Sequence, residues 1–152
     1  MKQLAITIIV SWFGVLSAQA ETASIGADEW YRNHYAPIWK ENSWDKLDEA
    51  ASHYDKTIQV HPPAGGVEHV DSHQWLAASL QEWKADGWIG SDIAAYQFDQ
   101  LNPSSATFKV KWRSWYVEAD EDFECSWYLA DARNDAWVIT QYATIDCEEH
   151  SL

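Results

Sequence analysis

Basic residues are scarce in this sequence. Ten lysines and arginines stand against 24 aspartates and glutamates, a net charge of −14. A field of that sign repels phosphate backbones and anionic lipid surfaces, which argues against nucleic acid or a membrane surface as partner. Cysteine is confined to Cys125 and Cys147, too few to cage a metal by thiolates alone. No Gly-rich phosphate loop, nucleophile elbow or metalloprotease helix motif is present, which removes the commonest nucleotide, acyl-transfer and zinc-protease signatures. Internal repeats and low-complexity linkers are also missing, so one folded unit is expected.

Long apolar runs are missing too, with one exception at the start. Lys2 gives a positive beginning, Leu4 to Val15 is uncharged and mostly apolar, and Ala18-Gln19-Ala20 is a small-x-small cleavage site. The run is too short to span a bilayer as a stable helix. Residues 1–20 therefore read as a signal peptide, and residues 21–152 as a single domain, periplasmic or secreted. No cysteine follows the cleavage site, so no membrane anchor is expected after cleavage. Without Lys2 the net charge becomes −15.

Tryptophan is what the chain has in excess. Eleven are present, and only Trp12 would leave with the signal. Buried rings supply large apolar areas, and exposed rows of them bind sugars by stacking. The clearest pattern lies between Ala106 and Cys147. Ala106, Phe108, Val110, Trp112 and Tyr116 alternate with Thr107, Lys109, Lys111 and Arg113, as in a strand with one covered face. Phe123, Cys125, Trp127 and Leu129 repeat the alternation, as do Trp137, Ile139, Ala143 and Ile145.

Helical patterns precede the sheet. Trp30, Tyr31, His34, Tyr35 and Ile38 share one side of a first helix, which Asp28 or Ser24 could cap and Pro37 should kink or stop. Ser43 could cap a second, with Trp44, Leu47, Ala51 and Tyr54 as its stripe. Thr57 to Val60 reads as a short strand ending at His61-Pro62-Pro63-Ala64-Gly65-Gly66. Asp71 and Gln74 form a capping box for a third helix carrying Trp75, Leu76, Leu80 and Trp83, which Gly87 stops. Ser91 to Leu101 reads as a strand turning at Asn102-Pro103-Ser104-Ser105.

Cys125 and Cys147 both fall on the apolar phase of their strands, and export permits a disulfide. With Arg133-Asn134-Asp135 as the turn, however, Cys125 opposes Ala143. Pairing then requires bulges or a folded-back tail, because the Cα atoms must come within about 7 Å.

This order of elements resembles the nuclear-transport-factor-2-like superfamily, which includes ketosteroid isomerases, scytalone dehydratases and SnoaL-like polyketide cyclases. The resemblance is carried by the early helices ending in Ala50-Ala51-Ser52-His53-Tyr54 and by Ile58-Gln59-Val60-His61-Pro62. The Pro-Gly loop, the Trp75–Trp83 helix and the closing strand Asp135-Ala136-Trp137-Val138-Ile139-Thr140 complete it. It implies an α+β domain: a cone-shaped, curved antiparallel sheet covered by three N-terminal helices, a cystatin-like α+β barrel. It also implies a largely apolar pocket between sheet and helices. His61 holds the place of the isomerases' basic aspartate, and Tyr35 falls near their pocket tyrosine. Their second acid would lie near Cys125 or Ser126, neither of which is a carboxylic acid.

Within that frame His61 is the candidate acid or base, since imidazole titrates near working pH. Tyr35 is the candidate hydrogen-bond donor to a developing oxyanion. Tyr31, His34, Tyr54, Trp75, Trp112, Tyr116, Trp127 and Trp137 are the expected pocket lining. The expected function is binding of a small apolar or aromatic molecule, with isomerase, dehydratase or cyclase proton transfer as its catalytic form. The alternative is a carbohydrate-binding or protein-interaction module. No cofactor and no metal is expected; His69, Asp71 and His73 have ligand-like spacing, but Asp71 is better explained as a helix cap. Lys109, Lys111 and Arg113 on the outer sheet face suggest a homodimer contact.

Overall fold

The strand Ser105–Tyr116 (β4) anchors the sheet. Its inward row begins with Ala106, Phe108 and Val110, all 0% exposed, and continues through Trp112 and Ser114. Thr107, Lys109, Lys111 and Arg113 face the other way, as the alternation predicts. A computed structural model describes residues 23–41, 43–118, 121–148 and 152; the expected signal peptide lies outside them.

Antiparallel neighbours flank β4: Trp88–Asn102 (β3) on one side and Asp122–Arg133 (β5) on the other. Ala136–Ile145 (β6), Tyr54–His61 (β1) and Glu68–Asp71 (β2) complete a six-stranded sheet of order β2-β1-β6-β5-β4-β3. The class is α+β, as expected, but two features differ. The sheet is mixed, because β1 runs parallel to β6. It is also open rather than a closed barrel, with β2 and β3 as its edges. Parallel neighbours need a long crossover, and the stretch from β2 through β5 provides it. The Glu68–Asp71 strand was not expected at all; its four residues carry no apolar alternation, and only pairing with β1 makes them extended.

The helices are shorter than their apolar spacing predicts. The first is an α-turn, Ala27–Trp30 (α1), that widens to a π-turn at Tyr31–Tyr35 and tightens to 3₁₀ at Ala36–Trp39. Pro37 has no N–H to offer and crowds the carbonyl four residues back, so the bonding ladder must change pitch here. Trp30, Tyr31, Tyr35, Ile38 and Trp39 are buried, whereas His34 is exposed. Neither Asp28 nor Ser24 caps α1; Gly26 stands there without a side-chain bond. The second helix shrinks to Leu47–Ala51 (α2), so Tyr54 belongs to β1. Ser72–Ala85 (α3) is the one long helix, capped as expected by the Asp71 carboxylate, which accepts from the Gln74 N–H at 3.0 Å.

On β5 the inward phase is the opposite of the one the apolar pattern suggests. Ser126, Tyr128, Ala130 and Ala132 are buried against the helices, while Phe123 is 43% exposed and Trp127 and Leu129 lie on the outer face. The β5–β6 turn explains it. Asn134 and Asp135 both have positive φ, 48° and 64°, which makes a two-residue turn pairing Arg133 with Ala136 and Ala132 with Trp137. A bulge between Leu129 and Ala130 shifts the register once more, so Cys125 opposes Ile145. Cys147, two residues further on, folds back to bond Cys125 with the Cα atoms 5.3 Å apart. The disulfide lies on the outer face and pins a tail whose Leu152 carbonyl accepts from Lys111 Nζ at 3.3 Å. Separating the cysteines by reduction, or by Cys147→Ala, should lower unfolding stability by about 3 kcal/mol. Urea unfolding with and without reductant measures it, and coincident curves would show that the tail is held by other contacts.

Candidate functional site

The inward row of β4 changes character along its length. At one end Phe108 meets Tyr31, with ring centroids 4.4 Å apart and planes 18° from parallel, and Trp30 and Tyr96 close around them. That end is filled. At the other end the positions facing the helices are serines: Ser91 on β3, Ser114 on β4 and Ser126 on β5, all buried. A serine occupies far less volume than the Phe or Val it replaces in the row. A cleft with about 60 Å³ of free interior remains there, roofed by α3 and the 3₁₀ turn.

Ten of the fifteen residues around this cleft are aromatic. Trp39 and Trp83 form one wall, edge to face at 5.9 Å, and Trp83 leans on Trp88 at 5.5 Å. Trp75 links Tyr54 to Tyr142, with centroids 6.0 and 5.0 Å away. Trp112, Tyr116 and Tyr128 form the sheet side, and Tyr35 reaches in from the π-turn. The buried polar groups satisfy one another, as burial requires. Trp88 Nε1 donates to Ser91 Oγ at 2.9 Å, and Ser91 and Ser114 share a bond of 2.6 Å. Trp112 Nε1 donates to Tyr128 OH at 3.1 Å, and the Tyr35 and Tyr54 hydroxyls bond each other.

One carboxylate completes the lining, that of Glu124 at the start of β5. Its Oε1 accepts from Tyr142 OH at 3.2 Å and from Ser126 Oγ at 3.5 Å. Glu124 as a whole is exposed, and it borders the cleft through its bonds to Tyr142 and Ser126. Burial raises its pKa above the ordinary value, and the two hydroxyls only partly oppose that. Burial, and then the Glu124 charge, push the Tyr142 phenol up to about 12. The phenols of Tyr35, Tyr54 and Tyr128 are likewise raised, chiefly by burial. They stay neutral and can act only as hydrogen-bond partners.

Of the residues singled out from the sequence, Tyr35, Tyr54, Trp75, Trp112 and Tyr116 border this cleft. The other candidates do not. His61 lies on the outer face, its Nε2 donating to Gln141 Oε1 at 3.3 Å and its ring edge-on to Trp127 at 6.4 Å. Alternation along β1 dictates this: Ile58 and Val60 point inward, so His61 points out. Trp127 shares that face because of the β5 phase. Tyr31 is sealed in the filled core. His34 and Trp137 border a separate hollow of about 320 Å³, bordered also by residues 24 and 25, where Trp137 Nε1 donates to the Ile25 carbonyl at 2.8 Å. His53 sits there too, accepting at Nδ1 from Trp30 Nε1 at 3.2 Å, its pKa lowered by burial.

Glu124 is the functional candidate that sequence reasoning missed. The carboxylate that borders the cleft belongs to Glu124, the residue before Cys125. The signal was present in Asn134-Asp135: read as a two-residue turn, with Trp137 inward, it sends every even-numbered β5 residue inward. His73 donates to Asp48 at 3.0 Å rather than joining His69 and Asp71. Among the described residues no three His, Cys, Asp or Glu side chains gather in metal-ligating geometry. On the outer face Arg113 is held by Asp92 at 3.1 Å and Glu121 at 3.8 Å, so part of the basic cluster is neutralised within the chain.

An open α+β sheet wrapped on short helices, with a cleft between them, is the NTF2-like, cystatin-like fold. Solved structures bear this out. An NTF-2-like protein of unknown function from Shewanella oneidensis MR-1 matches with a TM-score of 0.56 and 17% identity, over 68% of this chain and 88% of that one. A domain of unknown function with a cystatin-like fold from Nostoc punctiforme PCC 73102 matches at 0.54 and 13%, over 82% and 80%. A second Nostoc punctiforme protein with a cystatin-like fold matches at 0.55 and 9%, over 73% and 81%. No protein-family model and no curated protein matches the chain.

Proposed function

We propose that this chain is an exported small-molecule-binding domain, periplasmic or secreted, whose guest is held between the aromatic walls of the cleft. The observation that carries the reading is the row of serines under a roof of indoles: it leaves free space at one end of the β4 row, whose other end is filled by Phe108 and Tyr31. Pockets of this kind bind by apolar burial, with a few polar groups fixing orientation. The disulfide is consistent with an oxidising compartment. Among the described residues no helix is long and apolar enough to cross a membrane. A surface sugar platform is less well supported, since among the described residues no tryptophan is exposed. Proton transfer by His61 loses its geometric basis, because the ring is on the far side of the sheet.

The test is calorimetric titration with 2-naphthol, a flat neutral probe. Saturable binding is expected, weakened at least about tenfold, or 1.4 kcal/mol, in Trp83→Ala. At a hundred times its dissociation constant the probe should add about 2.7 kcal/mol of unfolding stability. Equal binding by Trp83→Ala, checked for native unfolding behaviour, would place the probe elsewhere and overturn the reading.

A further inference from the structure

We infer that the guest of this cleft is a compact organic cation, an alkylammonium or quaternary ammonium ion; the inference rests on the small-molecule reading and gives it a substrate class. The walls come first. The ring planes are inclined rather than stacked flat: Trp39 and Trp83 are 82° apart, Trp83 and Trp88 49°, and Trp75 and Tyr142 53°. A guest between them meets ring faces from several directions. Aromatic faces carry negative quadrupole density and attract cations, most strongly where water is excluded.

Charge supplies the second argument. Apart from neutral phenols, Glu124 is the one ionisable residue of the lining, and no lysine, arginine or histidine lines the cleft. Among the described residues no cation pairs with Glu124, and two hydroxyls are its only hydrogen-bond donors. A neutral apolar guest would strip water from this carboxylate and return nothing, which is costly. A cationic guest compensates the charge as it displaces the water. Over the whole chain, 24 acidic residues against ten basic ones draw cations toward the protein and repel anions.

Choline and its neutral carbon isostere 3,3-dimethylbutan-1-ol separate charge from shape. Titrated into the full mature chain, choline is expected to bind at least about tenfold more tightly than the alcohol, a difference of 1.4 kcal/mol. Glu124→Gln, which keeps the shape and the hydrogen bonds to Tyr142 and Ser126, should weaken choline about tenfold and leave the alcohol unchanged. Equal affinities, or choline binding indifferent to Glu124→Gln, overturn the cation inference alone. Binding of 2-naphthol in the cleft without any binding of choline also overturns it, and leaves the small-molecule reading standing. Failure of all three probes to bind overturns both.

Discussion

Gly90→Ala is expected to lower the free energy of unfolding by about 3 kcal/mol. Gly90 lies in β3 opposite Trp115, just past a bulge that follows Trp88. A Cβ built there would overlap the carbonyl oxygen of Lys40 and stand 2.8 Å from its carbonyl carbon. Those are backbone atoms at the end of the 3₁₀ turn, and they cannot rotate aside as a side chain could. The strap and the strand would have to part. Trp39, the residue before Lys40, would move with the strap, so the cleft should weaken as well. Gly66→Ala is the control. Its φ of 94° strains an alanine, but nothing lies within 4 Å, so about 1 kcal/mol is expected. Urea unfolding of both variants is the measurement; a Gly90→Ala midpoint at or above that of Gly66→Ala would show that the strap yields freely.

Tyr31→Ala should cost more still, about 4 kcal/mol. The residue is fully buried, stacked on Phe108 and flanked by Tyr35, Tyr96 and Tyr128 with centroids 5.0 to 5.6 Å away. Removing the ring leaves a cavity where the first helix meets the sheet, and the neighbouring rings are too rigid to collapse into it. Tyr31→Phe isolates the ring from the hydroxyl. Among the described residues that hydroxyl meets no hydrogen-bond partner. Its removal should therefore change stability by less than about 1 kcal/mol. Thermal and urea unfolding of the pair decide the matter: similar losses in both would assign the stability to the hydroxyl instead.

Legibility varied with the range of the interaction concerned. The phase of β4 was readable because four polar residues interleave its apolar row. The Asp71 cap was readable because a cap needs only its own next three residues. β5 was not readable from hydrophobicity, because both of its faces carry apolar side chains. Trp127 and Leu129 serve the outer face, while Tyr128, Ala130 and Ala132 serve the core. A one-residue phase error moves every side chain across the sheet. That single error put Trp127 in the pocket and turned Glu124 away from it. His61 was misplaced for a related reason: its position at the strand end was legible, but the face it takes is set by Ile58 and Val60 packing inward.

The α+β class, the phase of β4, the Asp71 cap, the acidity and the two cysteines were determined by the sequence alone, because each is set by composition or by neighbours a few residues apart. Tertiary structure decided the rest. The two-residue turn and the bulge set the register that joins Cys125 to Cys147 and turns Glu124 inward. Side chains up to 107 positions apart, from Tyr35 to Tyr142, converge on the cleft only after the strands have paired. Contacts at that separation follow from the register and packing of the whole sheet, and no short stretch of the chain encodes them.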